Sequence, residues 1–152
     1  MSETTPPSDV SGERPTFARY RVLFYLCLLA LILYLDRVCI SQAGPAIRDE
    51  LGLSEKQLGY VFASFTIAYV LFMAAAGRLG DRFGSRGVLV AIVIWWSAFT
   101  ALTGACTGFL MLILVRFVFG AGEAGAFPNC ARVLNRWFPA DARGLPQGLL
   151  NT

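Results

Sequence analysis

Four ionisable residues stand inside long apolar runs: Asp36, Arg37, Arg116 and Glu123. Each costs at least ~2.5 kcal/mol at the centre of a lipid-embedded helix, so such residues normally face a bundle interior and mark the path of a substrate or an ion. The plainer reading is a pair of static salt bridges between helices, but buried ion pairs are weak sources of stability. Two guanidiniums suit a carboxylate, because their planar donors fork onto both oxygens. Two carboxyls suit a proton carrier, because burial penalises the charged form. Tyr34, Arg37 and Ser41 fall at i, i+3 and i+7, one stripe of a helix. Tyr69 offers a phenol near the middle of another run, where it serves equally well as a packed aromatic.

Helical rise sets the depth of these groups. Asp36 lies fifteen residues beyond Arg21, the basic residue at the start of its run, or ~22 Å along a helix axis. Arg116 lies about seven residues from the far end of its own run, or ~10 Å deep. Asp36, Arg37 and Arg116 are therefore expected at similar depth in the outer half of a ~30 Å hydrocarbon layer. Glu123 follows Arg116 by seven residues. Two turns separate them, so both belong on one face, ~10 Å apart, with Gly120 between them leaving room for something to approach.

The elements that must hold these residues are membrane helices. Of the 152 residues, 56% are hydrophobic and 15% charged, against about 25% charged in soluble domains. Apolar runs cover about 20–41, 58–76, 87–106 and 109–133. Each is near the ~20 residues that cross a bilayer as a helix, and lipid leaves no partner for an open sheet edge. The expected fold is an all-α membrane protein with four transmembrane helices, neighbours antiparallel. Residues 1–19 are polar, rich in Pro, Ser, Thr and Glu, and read as a disordered tail; residues 134–152 read as a loop leading into a truncated fifth helix. A cleaved signal peptide is the rival for the first run, but Asp36 and Arg37 interrupt it, it is long for a signal, and three more spans follow.

Charge sets the orientation. Arg14, Arg19, Arg21, Arg78, Arg82, Arg86, Arg132, Arg136 and Arg143 fall on one side of these spans. Only Arg48 and Lys56 fall on the other, beside Asp49, Glu50 and Glu55. The positive-inside rule puts both chain ends in the cytoplasm, which implies a multi-pass protein of the cell (inner or plasma) membrane. The net charge of +3 is spread between apolar runs, a pattern of topology and not of nucleic-acid binding. Cys27, Cys39, Cys106 and Cys130 have no metal-ligand spacing and read as small buried hydrophobes. No catalytic residue, metal site or cofactor is expected, and the chain is read as no enzyme.

Residues 77–86 read GRLGDRFGSR. Glycines here allow a tight turn and close helix approach, and Asp81 can cap a helix or pair with an arginine. Gly77, Asp81, Arg82, Gly84 and Arg86, placed after two spans, resemble the loop signature of the major facilitator superfamily. Tyr34-Leu35-Asp36-Arg37, Arg116 with the following Glu123-Ala-Gly-Ala-Phe-Pro128, and Arg136-Trp137-Phe138-Pro139 with Arg143 are similar to the anion:cation symporter branch of that family. Gly125 departs from it, since many relatives have proline there.

The resemblance implies a twelve-helix fold in two halves, of which these four spans would be an amino-terminal fragment that inserts but does not transport alone. It implies uptake of an organic anion, often a sugar acid, driven by protons or sodium. Arg37 and Arg116 would hold the anion, with Tyr34 and Tyr69 beside it. Asp36 and Glu123 would change protonation, and the loop would latch the two halves. A small structural or sensor membrane protein, or an efflux member of the family, is the alternative; neither needs Arg37 and Arg116 together at one depth.

Gly120-Ala-Gly122-Glu-Ala-Gly125 also satisfies GxGxxG, with Asp141 about twenty residues on. A dinucleotide site would put Arg116 in the middle of a buried strand, and Pro128 and Pro139 would break the elements that follow. These glycines serve better as small faces where helices approach closely.

Overall fold

The computed structural model describes residues 17–150. Six α-helices run in chain order: α1 Phe17–Glu50, α2 Glu55–Phe83, α3 Ser85–Gly104, α4 Phe109–Glu123, α5 Ala126–Trp137 and α6 Gly144–Leu150. A 3-10 turn, Ala140–Ala142, joins the last two, and no strand occurs among the described residues. Four segments are long and apolar enough to cross a membrane: α1, α2, α3, and α4 with α5 taken as one Phe109–Trp137 span.

The helices outrun the apolar runs that announce them. α1 has 34 residues, or ~51 Å, so it extends well past a ~30 Å hydrocarbon layer. It begins inside the polar segment 1–19, whose first sixteen residues lie outside the described part of the chain. At the other end it passes through Pro45 to Glu50, where its last turn is polar. Gly52 then takes φ +61°. With the Leu53 N–H on the Arg48 carbonyl at 2.8 Å, this closes the helix in the Schellman manner. Leu53 is buried beside Ile47 and Leu51. Ser54 immediately caps α2: its Oγ accepts from Gln57 N at 3.3 Å, and Gln57 Oε1 accepts from Ser54 N at 2.8 Å.

The glycine-rich segment 77–86 is helical rather than a loop. α2 continues through it to Phe83, and the one non-helical residue before α3 is Gly84, at φ +80°. Positive φ is the conformation that favours glycine; Gly77 and Gly80 do another job, inside the helix. Residues 134–150 are also largely helical, as the end of α5, the 3-10 turn and α6.

The fourth span is the centre of the packing. Half of its apolar window is buried, against 17–22% for the other three, so α1, α2 and α3 wrap around it with their remaining faces outward. Its glycines make this possible. A Cβ on Gly120 would lie 2.5 Å from the Phe65 carbonyl oxygen of α2. One on Gly122 would meet the Trp95 ring of α3, whose Nε1 donates to the Val118 carbonyl at 3.1 Å. Gly125 faces Ala76 of α2 and Ile92 of α3. The GxGxxG string is thus a three-way helix contact and forms no phosphate loop. Three buried clusters fill the bundle. One joins α1 to α5 and α6 through Leu26, Cys130, Leu134 and Leu150. Another joins α1, α3 and α4 through Leu33, Ile92, Trp96 and Phe119. The last seals the α1–α2 turn against α4 through Leu53, Val61 and Leu112.

Gly120→Ala should lower the unfolding temperature sharply in detergent, because the Cβ meets backbone that cannot swing away; overpacking of this kind costs ~1–3 kcal/mol. Gly59→Ala on α2, where a Cβ meets nothing within 4 Å, should leave the unfolding temperature unchanged. Equal effects of the two changes would refute this packing account.

Candidate functional site

α1, α2 and α4 converge on one ion pair. Arg37 of α1 donates from Nε at 3.0 Å and from Nη2 at 2.6 Å, both to Oε1 of Glu123, the last residue of α4. Glu123 is 1% exposed, while the Arg37 side chain stays 34% exposed. Oε2 of Glu123 has no hydrogen-bond partner among the described residues. The Arg37 guanidinium also lies over two rings of α2, 4.8 Å from the centre of Tyr69 and 5.4 Å from that of Phe65. Such cation–π contacts hold a cation without consuming its hydrogen-bond donors. Tyr34, one turn before Arg37, is exposed and meets Phe127 edge-on at 6.0 Å.

The depth reckoning alone does not favour this pairing. Glu123 joins Arg37 on α1, not Arg116 on its own helix. Counting rise along each axis puts Arg37 and Glu123 two turns apart, but Cα–Cβ bonds tilt towards the helix amino terminus. In antiparallel α1 and α4 the two side chains therefore lean towards each other, and a long guanidinium closes the remaining gap.

Arg116 and Asp36 form a second group on the α3 side of α1. Arg116 is 4% exposed, lies 5.0 Å from the Phe119 ring centre, and its Nε has no hydrogen-bond partner among the described residues. Among the described residues it forms no ion pair with a carboxylate, and Asp36 borders the same cavity. Asp36 Oδ1 accepts from Thr100 Oγ1 at 3.4 Å. Asp36, Thr100, Thr103, Cys106 and Arg116 border a cavity of about 340 Å³. The two arginines thus serve two neighbouring compartments, one with a closed pair and one with an unpaired buried cation. Phe65 and Thr100 belong to these compartments, although neither stands out in the sequence; only Thr100 with Thr103, hydroxyls at i and i+3, hints at a polar face.

At the other end of the bundle, the glycine-rich segment meets α5. Arg132 bridges from its Nη2 to Asp81 Oδ2 at 2.9 Å and donates from Nη1 to the Gly77 carbonyl at 2.9 Å. Fully buried Asn129 donates to the carbonyls of Gly125 at 2.8 Å and Ala76 at 3.4 Å. Gly80 makes the contact possible, since a Cβ there would overlap the Asn129 amide and the Arg132 guanidinium. Asp81 is thus an arginine partner and caps no helix. Arg82 instead stacks on Phe83, 5.5 Å from the ring centre, and Arg86 lies in a groove shared with α1 and α5. The sequence shows Arg132 only as a topology charge; its spacing of three from Asn129 is the signal for a shared polar stripe.

A family model described as Major Facilitator Superfamily matches residues 26–152. The chain belongs to this superfamily. It is 41% identical over 134 residues to "Probable sulfoacetate transporter SauU" of Cupriavidus necator, an overlap of 88% of this chain and 31% of that protein. It is 40% identical over 145 residues to "Probable galactarate/D-glucarate transporter GudP" of Pseudomonas putida, covering 91% and 32%. It is 36% identical over 131 residues to "Hexuronate transporter" of Bacillus subtilis, covering 86% and 31%. The chain spans about a third of the length of these relatives. Superfamily membership accounts for the four apolar helices and for the resemblance carried by residues 77–86.

Arg132→Ala should cost more than Asp81→Ala. The first removes hydrogen bonds to a carbonyl and an amide, ~2 kcal/mol for a charged donor. The second removes a carboxylate that is 67% exposed, worth at most ~1 kcal/mol and weakened by salt. Unfolding temperatures at low and high salt separate the two; equal losses would show that the ion pair alone holds the contact.

Proposed function

We propose that the chain forms part of a transporter that carries an organic anion, such as a sugar acid, across the cell membrane together with protons. The observation that carries this reading is Arg37, which holds the buried Glu123 through one carboxylate oxygen while a third of its side chain remains exposed. A substrate carboxylate fits the same guanidinium fork. Once Arg37 turns to the substrate, Glu123 is a buried charge without a partner and takes up a proton instead. Anion and proton then bind together, which is the basis of symport.

Arg116 provides a second cation for the anion, and Asp36 beside it a second proton carrier. Tyr34 and Tyr69 border the anion near Arg37. The relatives' named cargoes, sulfoacetate, galactarate or D-glucarate, and hexuronate, are all organic anions and support the same class here. The segment of Gly77, Asp81, Arg82, Gly84 and Arg86 acts as a cytoplasmic latch, and the amino terminus faces the cytoplasm, as the arginine distribution supports.

In vesicles containing the full-length protein, an inward proton gradient should drive accumulation of D-glucarate or a hexuronate. Accumulation driven by a sodium gradient alone, or by neither, would overturn proton symport. Glu123→Gln should still exchange anion across the membrane but lose accumulation. If the pair with Arg37 is merely structural, this change instead yields a protein that unfolds at much lower temperature. Arg37→Lys keeps the charge but loses the planar fork. It should weaken anion binding about tenfold or more, since a charge-assisted hydrogen bond is worth ~1.5–3 kcal/mol; unchanged binding would reduce Arg37 to a charge partner of Glu123.

A further inference from the structure

The cavity bordered by Asp36 and Arg116 reaches the end of the bundle opposite the arginine-rich one. α1 lines it with Asp36, Cys39, Ala43, Ile47 and Glu50, at spacings of three and four that keep all five on one helix face. Asp36 and Glu50 are fourteen residues apart, or ~21 Å along the axis. Glu50 is exposed in the last turn of α1. By the same rise it lies ~43 Å from Arg21, past a ~30 Å hydrocarbon layer. One stripe of α1 thus leads from the aqueous boundary to a carboxyl within the membrane.

The wall of this cavity suits water. About 340 Å³ holds on the order of ten waters at ~30 Å³ each. Water also needs polar partners, and cavities that stay dry are apolar. Here Thr100 Oγ1 donates to Asp36 Oδ1 at 3.4 Å. Thr103 Oγ1 donates to the Phe99 carbonyl at 2.8 Å, which leaves its oxygen able to accept from water. Arg116 adds donors that form no ion pair among the described residues. Acyl chains do not fill a space walled by two carboxylates and a guanidinium. A further helix across the open side would leave this wall in place. Two acids against one arginine make the interior favour a proton over an organic anion. The other charges near Asp36, Arg37 and Glu123, are engaged with each other, and α3 faces it with hydroxyls.

We propose that this cavity is the outer proton entrance: a chain of waters leading from Glu50 past Thr103 and Thr100 delivers a proton to the Asp36 carboxylate. Each link accepts one proton and releases another, and Asp36 ends as the carboxylic acid. Arg116, a fixed cation at the inner end, repels an excess proton that would pass Asp36. The organic anion reaches Arg37 by the other side of α1. The inference rests on the proton symport proposed above and adds separate entrances for the two solutes.

The test uses the full-length protein in right-side-out vesicles and a membrane-impermeant cationic methanethiosulfonate added outside. Peptide mass mapping reads Cys39, an exposed thiol in the cavity wall. Cys39 should be labelled. The adduct should slow proton-driven accumulation of D-glucarate about tenfold or more, because a fixed cation one turn from Asp36 opposes a proton there. Exchange of D-glucarate between sides of equal pH should persist, and Cys39→Ser should remove the effect of the reagent. Cys39 left unlabelled in a protein that accumulates D-glucarate under a proton gradient overturns the route alone. Full accumulation after labelling overturns it too, as does equal loss of accumulation and exchange, which would mean one shared entrance. An unchanged loss in Cys39→Ser also counts against it. No proton-driven accumulation by the unaltered protein overturns symport, and the route with it.

Discussion

A carboxylate that is almost wholly buried must be matched by a cation or a proton, and Glu123 imposes that demand on the bundle. Arg37 meets it across two antiparallel helices, at 2.6 and 3.0 Å to a single oxygen. The match is incomplete, because the second oxygen has no partner among the described residues and the Arg37 side chain stays partly exposed. A buried pair of this kind contributes little net stability, yet breaking it strands a charge. On the proposed function this pair is the one exchanged: an anion takes the arginine, and a proton then relieves the carboxylate.

The rest of the fold keeps α4 close enough for the Arg37–Glu123 contact. Gly120 brings the α2 backbone against α4, Gly122 admits the Trp95 ring of α3, and Gly125 lets α2 and α3 approach together at the α4–α5 junction. Phe65 serves twice. Its carbonyl packs on Gly120, and its ring, with that of Tyr69, lies under the Arg37 guanidinium. In lipid, where helices gain no hydrophobic drive to associate, such small-residue contacts and interhelical hydrogen bonds carry the packing. The Asn129–Arg132 stripe meeting Gly77 and Asp81 applies the same device at the opposite end of the bundle.

Much of this was legible in the residues. Asp36, Arg37, Arg116 and Glu123 stand out because lipid makes charge expensive, and the four helices follow from apolar length. Their ends do not, because apolar length stops at 41 and resumes at 58, whereas α1 and α2 run on to the polar turn at Gly52 and Ser54. Pairing was not legible, because it depends on how far each side chain leans along its axis and on the rotation of each helix; a count of residues per turn conveys neither. The segment 77–86 misleads for a related reason. Glycine marks breaks in soluble chains, whereas in packed membrane helices it marks close approach, and here α2 runs through Gly77 and Gly80 to reach α5. Superfamily membership was legible from the same segment, since it needs only residue order and not conformation.

On the proposed function, an anion and a proton replace the Arg37–Glu123 pair together. Calorimetric titration of the full-length protein with D-glucarate, in two buffers of different ionisation enthalpy, measures protons taken up per anion bound. Linkage predicts proton uptake by the unaltered protein that falls by about one proton per anion once Glu123 is glutamine. Binding without proton uptake by the unaltered protein, or the same uptake by Glu123→Gln, would contradict the account.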